Sequence, residues 1–106
     1  LQLQGALRGC IGKIEADSPL DAVIARCAVA AASADPRFPP LTLAEFEAVA
    51  IEVSVLSPPE PVRGLDDIVV GRHGLIVTAR TGRGLTARVR TRRGLLLPQV
   101  AAARSW

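Results

Sequence analysis

Leu1-Gln2-Leu3-Gln4 alternates apolar and polar residues until Gly5 interrupts, before Ala6-Leu7. A period of two predicts a half-buried β-strand. After Ser18-Pro19 the period changes: Leu20, Val23, Ile24, Cys27, Ala28 and Ala31 follow the spacing of one helix face, with Ser18 as the expected cap, Pro19 at the first helical position and Cys27 turned to the core. This long helix must end near Ala34, because Asp35-Pro36-Arg37-Phe38-Pro39-Pro40 holds three prolines in five positions and proline cannot continue a helix. Thr42-Leu43-Ala44-Glu45 fits a capping box and predicts a short helix carrying Phe46 and Val49 inward.

The period then returns to two. Ile51-Glu52-Val53-Ser54-Val55-Leu56 alternates strictly over its first five residues and is the clearest strand of the sequence, closed by Ser57-Pro58-Pro59-Glu60-Pro61. Val62–Val70 is poorly patterned, with a short turn expected at Leu65-Asp66-Asp67. Further on, Gly74-Leu75-Ile76-Val77 reads as a strand, Thr81-Gly82-Arg83-Gly84 as a turn, Leu85–Arg90 as an alternating strand, and Gly94–Val100 as a short buried strand stopped by Pro98. Residues 74–85 nearly repeat as 84–95, which a lengthened hairpin explains more simply than a solenoid. A new helix is expected to begin where the sequence ends, at Trp106. Because it opens inside a strand pattern, the chain is expected to be a central fragment of a longer domain.

At 106 residues and 49% hydrophobic, the chain is long enough for one core. Phe38, Phe46 and Trp106 are its aromatic residues, so the core is built from Leu, Val, Ile and Ala, and the base-stacking platforms of single-strand binders are missing. No apolar run approaches the roughly 20 residues of a membrane helix, and the start has no signal-peptide pattern. A cytoplasmic protein is expected, with no membrane partner. The net charge of +3 hides a division: residues 1–70 carry −5, and residues 71–106 carry eight arginines and no acid. Such asymmetry marks a polyanion-binding surface, arginines on the solvent face of a hairpin, or two halves of opposite charge packed together.

Candidate chemistry concentrates in Leu7-Arg8-Gly9-Cys10-Ile11-Gly12, where a charge, a thiol and two glycines share six residues. Two readings stand beside each other. One is an edge-strand turn with an inert buried thiol; the other is a ligand-facing loop lined by backbone N–H groups, Arg8 and Cys10. Arg37, set among prolines beside Phe38, is the second basic residue expected near such a site; its plainer role is to pair with a surface carboxylate while Phe38 anchors the loop. Cys10 and Cys27 form no CxxC or zinc pattern, His73 is the single histidine, and no metal site is expected. Both thiols are read as free.

Leu7–Gly12, Asp35-Pro36-Arg37-Phe38-Pro39-Pro40-Leu41, Ile51–Pro59, Gly71-Arg72-His73-Gly74-Leu75-Ile76-Val77 and Gly94–Ala101 together resemble the AMMECR family, known in prokaryotes as the AmmeMemoRadiSam system protein A. The likeness covers nearly the whole chain. It implies an α+β fold of antiparallel sheet with one long and one short helix packed on it, in two unequal lobes, here incomplete at both ends. It also implies a cleft near Arg8, Gly9, Cys10 and Gly12, with Arg37 its nearest basic neighbour, and association with a Memo-like protein and a radical SAM protein. Family members extend further on both sides, and the spacing between residues 74 and 94 is longer here than their usual form. The family brings no established reaction, and fold is not chemistry.

Three functions follow as expectations. The first is an accessory component that binds a partner or small ligand at the Arg8, Cys10 and Arg37 cleft. The second is an enzyme with Cys10 as nucleophile, Arg8 favouring the thiolate, and His73 or Glu52 as base. The third is nucleic-acid binding through the Arg-rich stretch at residues 80–93, against which speaks the resemblance, since it places that stretch in a hairpin. The sequence names no cofactor, substrate or oligomeric state.

Overall fold

The computed structural model describes residues 1–81 and 90–103. Its backbone divides into two compact units, Leu1–Ser57 and Pro58–Trp106. Helices and antiparallel sheet occur together, giving the expected α+β class.

In the first unit, strands β1 (Gln2–Leu3) and β2 (Ala6–Leu7) form a hairpin whose two turn residues, Gln4 and Gly5, have φ of 51° and 79°. Positive φ at both positions is the type I′ geometry that matches the twist of paired strands, and glycine adopts it without steric cost. Gly5 therefore turns the chain back on itself as well as interrupting a strand. Helix α1 (Leu20–Ser33) follows, then helix α2 (Leu43–Phe46) and strand β3 (Val49–Ala50). β1 lies between the other two, in the order β2-β1-β3, with both pairings antiparallel.

The predicted face of α1 is covered from its second turn onward: Val23 and Ala31 are buried, and Ile24, Cys27 and Ala28 are half-buried. Leu20, the first helical residue, is exposed. Ser18 does not cap. Pro19 is the N-cap and provides no side-chain hydrogen bond, while the Ser18 hydroxyl donates to Asp17 and accepts from Arg26. The capping box at Thr42 and Glu45 is present in both halves, but its helix lasts one turn. Phe46 is 64% exposed, contrary to expectation, and Val49 belongs to β3, where it is half-buried. Polar bonds through Glu45, rather than an apolar face, hold this turn.

The clearest predicted strand is not one. Residues 51–63 carry no regular secondary structure, and Ile51, Val53 and Val55 are 62%, 49% and 65% exposed. Alternation prepares a strand, but a strand exists only as part of a hydrogen-bonded ladder. The β1–β3 ladder consists of the pairs Leu3↔Val49 and Gln2↔Ala50, and among the described residues no strand pairs with residues 51–56.

In the second unit a 3-10 turn covers Leu65–Asp67, as expected. Strands β4 (Leu75–Thr81) and β5 (Arg90–Leu96) pair antiparallel from Leu75↔Leu96 to Thr81↔Arg90. The partner of the strand at Gly74–Val77 is thus the stretch around Gly94–Leu96. Of the turn predicted at Thr81–Gly84, Thr81 belongs instead to β4, and of the strand predicted at Leu85–Arg90, Arg90 begins β5; the remaining residues of both, and Trp106, lie outside the described residues. Pro98 stops β5 and opens helix α3 (Pro98–Ala103), at the helical position that proline's fixed φ suits. Among the described residues no helix is long and apolar enough to cross a membrane.

Candidate functional site

Arg8 follows β2 directly, and its backbone N–H donates to the Leu1 carbonyl at 2.9 Å, continuing the hairpin ladder. Its side chain, 11% exposed, folds onto the segment between the two helices. Nε and Nη2 donate to the two carboxylate oxygens of Glu45 at 2.9 and 3.0 Å. Nη1 donates to the Pro39 carbonyl at 2.9 Å and Nη2 also to that of Pro40 at 3.4 Å. Proline carbonyls suit this role, because no following helix or strand claims them. The fork-on-fork pairing fixes orientation as well as charge. Held by Arg8 and by the Thr42 backbone N–H, the Glu45 carboxyl is lowered to about 2. Arg8 thus serves as a clamp within the loop cluster.

Gly9 is buried against α1. A Cβ on it would stand 2.2 Å from the Ala31 carbonyl oxygen, closer than any side chain tolerates. The first glycine of the motif is required by this close approach. The Gly9 carbonyl accepts from the Leu1 amine at 2.7 Å. Gly12 meets nothing within 4 Å.

Asp35 is the centre of the cluster, only 4% exposed. Oδ2 accepts the Cys10 backbone N–H at 2.9 Å and Arg37 Nη2 at 2.7 Å; Oδ1 accepts the Arg37 backbone N–H and Nε, each at 3.0 Å. One carboxylate therefore closes its own turn and ties that turn to the motif. The Arg37 side chain, foremost among these donors, and then the Cys10 N–H hold the Asp35 carboxyl well below the usual carboxylate range. Arg37 Nη2 also donates to the Cys10 carbonyl at 3.1 Å, and the Arg37 side chain remains 54% exposed. The guanidinium carbons of Arg8 and Arg37 lie 6.0 and 5.6 Å from the Phe38 ring centroid, within cation–π range. Cys10 is exposed with a free thiol, and Cys27 is a half-buried free thiol.

Cys10 and Arg37 thus meet at the Asp35 carboxylate, while Arg8 binds Glu45 and Gly9 seats on Ala31; in the sequence Asp35 stands out only as part of a stiff segment. The signal was there: an Asp two residues before another backbone N–H, at a helix exit, forms a turn that accepts from that N–H. Arg37 does pair with a carboxylate, but a buried one. The two candidate bases have other bonds. Glu52 accepts from Gln2 Nε2 at 3.3 Å, and His73 Nδ1 accepts from the Val69 backbone N–H at 3.1 Å. Among the described residues no three His, Cys, Asp or Glu side chains gather as a metal site would need.

Comparison with known proteins adds a family. The model described as AMMECR1 matches residues 1–106. MJ0810 of Methanocaldococcus jannaschii is 42% identical over 106 residues, covering 94% of this chain and 48% of the relative. A protein of Thermofilum pendens is 47% identical over 106 residues, covering 94% of this chain and 45% of its own. One of Methanothermobacter thermautotrophicus is 46% identical over 112 residues, covering 100% and 53%. The chain thus spans about half the length of the curated relatives it matches. No solved structure matches it. With the family model matched from the first residue to the last, the chain belongs to the AMMECR1 family.

Proposed function

We propose that the chain is a recognition component, acting with a Memo-like and a radical SAM protein in the cytoplasm, whose docking point is the surface formed by Cys10 and Arg37. The observation that carries this reading is the Asp35 carboxylate, which fixes the Cys10 backbone and the Arg37 guanidinium side by side while both side chains stay exposed. Such a surface is pre-organised: the guanidinium loses little freedom when it meets an anionic or carbonyl group of a partner. Arg8 supports the surface from within, and Gly9 sets the depth at which the motif sits on α1. In a pull-down, the immobilised protein retains one of the two partners and Arg37→Ala loses that retention. Failure to retain either partner overturns the reading.

A second reading, an enzyme with Cys10 as nucleophile, is favoured by the exposure of the thiol. Iodoacetamide labelling across pH separates the two. An activated thiolate reacts fully at pH 6, whereas a thiol of ordinary acidity, near 8.5, labels only as that value is approached.

A further inference from the structure

We propose that the β4–β5 ribbon is a binding element for double-stranded DNA, with Arg80 and Arg92 on its two faces reaching the phosphates that wall the major groove. Residues 71–106 hold eight arginines and no acidic residue. The register shows what surrounds two of them: Arg80 stands opposite Thr91, and Arg92 opposite Ala79. Residues directly opposite each other share a face of an antiparallel pair, and successive residues alternate. Arg80 and Thr91 therefore lie on one face, and Arg92 and Ala79 on the other. Val77–Arg80 and Thr91–Leu95 are exposed. Among the described residues neither Arg80 nor Arg92 pairs with a carboxylate, whereas each arginine of the first unit does: Arg8 holds Glu45, Arg26 holds Asp17 and Arg37 holds Asp35. Arg93, opposite Thr78 on the face of Arg80, has a partner within the chain.

This arrangement selects among polyanions. A lipid surface is flat and meets one face of a ribbon, which leaves the arginine of the other face unused. Single-stranded nucleic acid is held by stacking on aromatic side chains, and β4 and β5 contain none. The deep, narrow major groove of double-stranded RNA does not admit side chains. The major groove of B-DNA is about 12 Å wide and admits a two-stranded β-ribbon. Entered edge-on, it meets each face of the ribbon with a wall of phosphates, so Arg80 and Arg92 each neutralise one and Thr91 offers a hydroxyl donor beside Arg80. Phosphate contacts carry no sequence information, and the binding is expected to be indifferent to sequence.

Fluorescence anisotropy of the 106-residue chain with a labelled duplex DNA of mixed sequence tests this. Affinity is expected to fall by at least ~10-fold as salt rises from about 50 to about 200 mM, as counterion release from two neutralised phosphates requires. Arg80→Gln and Arg92→Gln are each expected to lower the slope of log affinity against log salt by about 1, and the double variant by about 2. Arg80→Lys combined with Arg92→Lys is expected to keep the slope, because lysine serves a phosphate as a point charge. Arg26→Gln removes a charge already engaged by Asp17 and is expected to leave the slope unchanged. No binding to duplex DNA at the lower salt, or a slope that survives the loss of both arginines, overturns the proposal. A lysine pair as weak as the glutamine pair overturns it too, since the loss then comes from the hairpin's fold. An Arg26→Gln loss equal to that of Arg80→Gln does the same by assigning the effect to net charge. Equal or tighter binding of duplex RNA, of single-stranded DNA, or of vesicles of phosphatidylserine and phosphatidylcholine also overturns it, because the groove then selects nothing.

Discussion

The cluster around Asp35 and the stretch Ile51–Leu56 carry comparably strong sequence patterns, yet one closes around a buried carboxylate and the other stands exposed. In the cluster the turns close locally: Asp35 bonds Arg37 two residues on, and Thr42 bonds Glu45 three residues on. Two longer links, from Arg8 and Cys10, then lock those turns to the hairpin. In Ile51–Leu56 the alternation is just as regular, but what it calls for is a whole neighbouring strand. Local chemistry completes itself; a strand depends on backbone from elsewhere.

The largest expected effect separates the two glycines of the motif. Gly9→Ala drives a methyl group into the Ala31 carbonyl. Backbone against backbone has no flexible end to yield, so the change is expected to cost about 3 kcal/mol of unfolding free energy. Gly12→Ala meets open space at a position without positive φ and is expected to stay within about 0.5 kcal/mol of the parent. Urea unfolding of the two variants measures both. Equal losses would mean that the closure of the cluster does not depend on how closely Gly9 seats on α1.

That contrast also shows what the sequence made legible. The α1 face, the capping box, the turn at Leu65–Asp67 and the strand beginning at Leu75 rest on interactions within a few residues or on plain periodicity, and they appear where expected. Phe46 and Leu20 were misplaced because an apolar residue states a preference for burial without stating what will cover it. Asp35 was passed over for a related reason. Its importance comes from the Cys10 N–H, 25 positions away, and spacing alone cannot reveal such a link. The motif itself drew attention correctly, although the partners that organise it lie in the proline-rich segment and in α2.

An intermediate effect is expected from acid. The Asp35 and Glu45 carboxyls are both held below their ordinary values in the folded chain. As pH falls, the unfolded chain takes up these protons first. The stability they contribute is therefore complete above the ordinary value of 4.5 for Glu45 and is lost as pH falls from there toward about 2. Thermal unfolding followed from pH 6 to pH 2 should show its midpoint fall across that window. Glu45→Gln should start lower at pH 6 and fall less steeply. Asp35→Asn should lower the midpoint at pH 6 by roughly 5 °C or more, because an amide nitrogen then faces donors already in place. An acid limb unchanged by both substitutions would show that the cluster is held by packing alone.

The smallest expected effect lies in the open stretch and is informative for that reason. Val53→Thr keeps the β-branched shape and replaces a methyl with a hydroxyl. In the 106-residue chain Val53 is 49% exposed, so the hydroxyl stays in water and the change is expected to cost no more than about 0.5 kcal/mol. Urea unfolding of parent and variant gives the difference directly. A cost of about 1–2 kcal/mol would mean that the hydroxyl loses its water without gaining a partner, so that the stretch closes on another part of the chain and the contrast with the Asp35 cluster disappears.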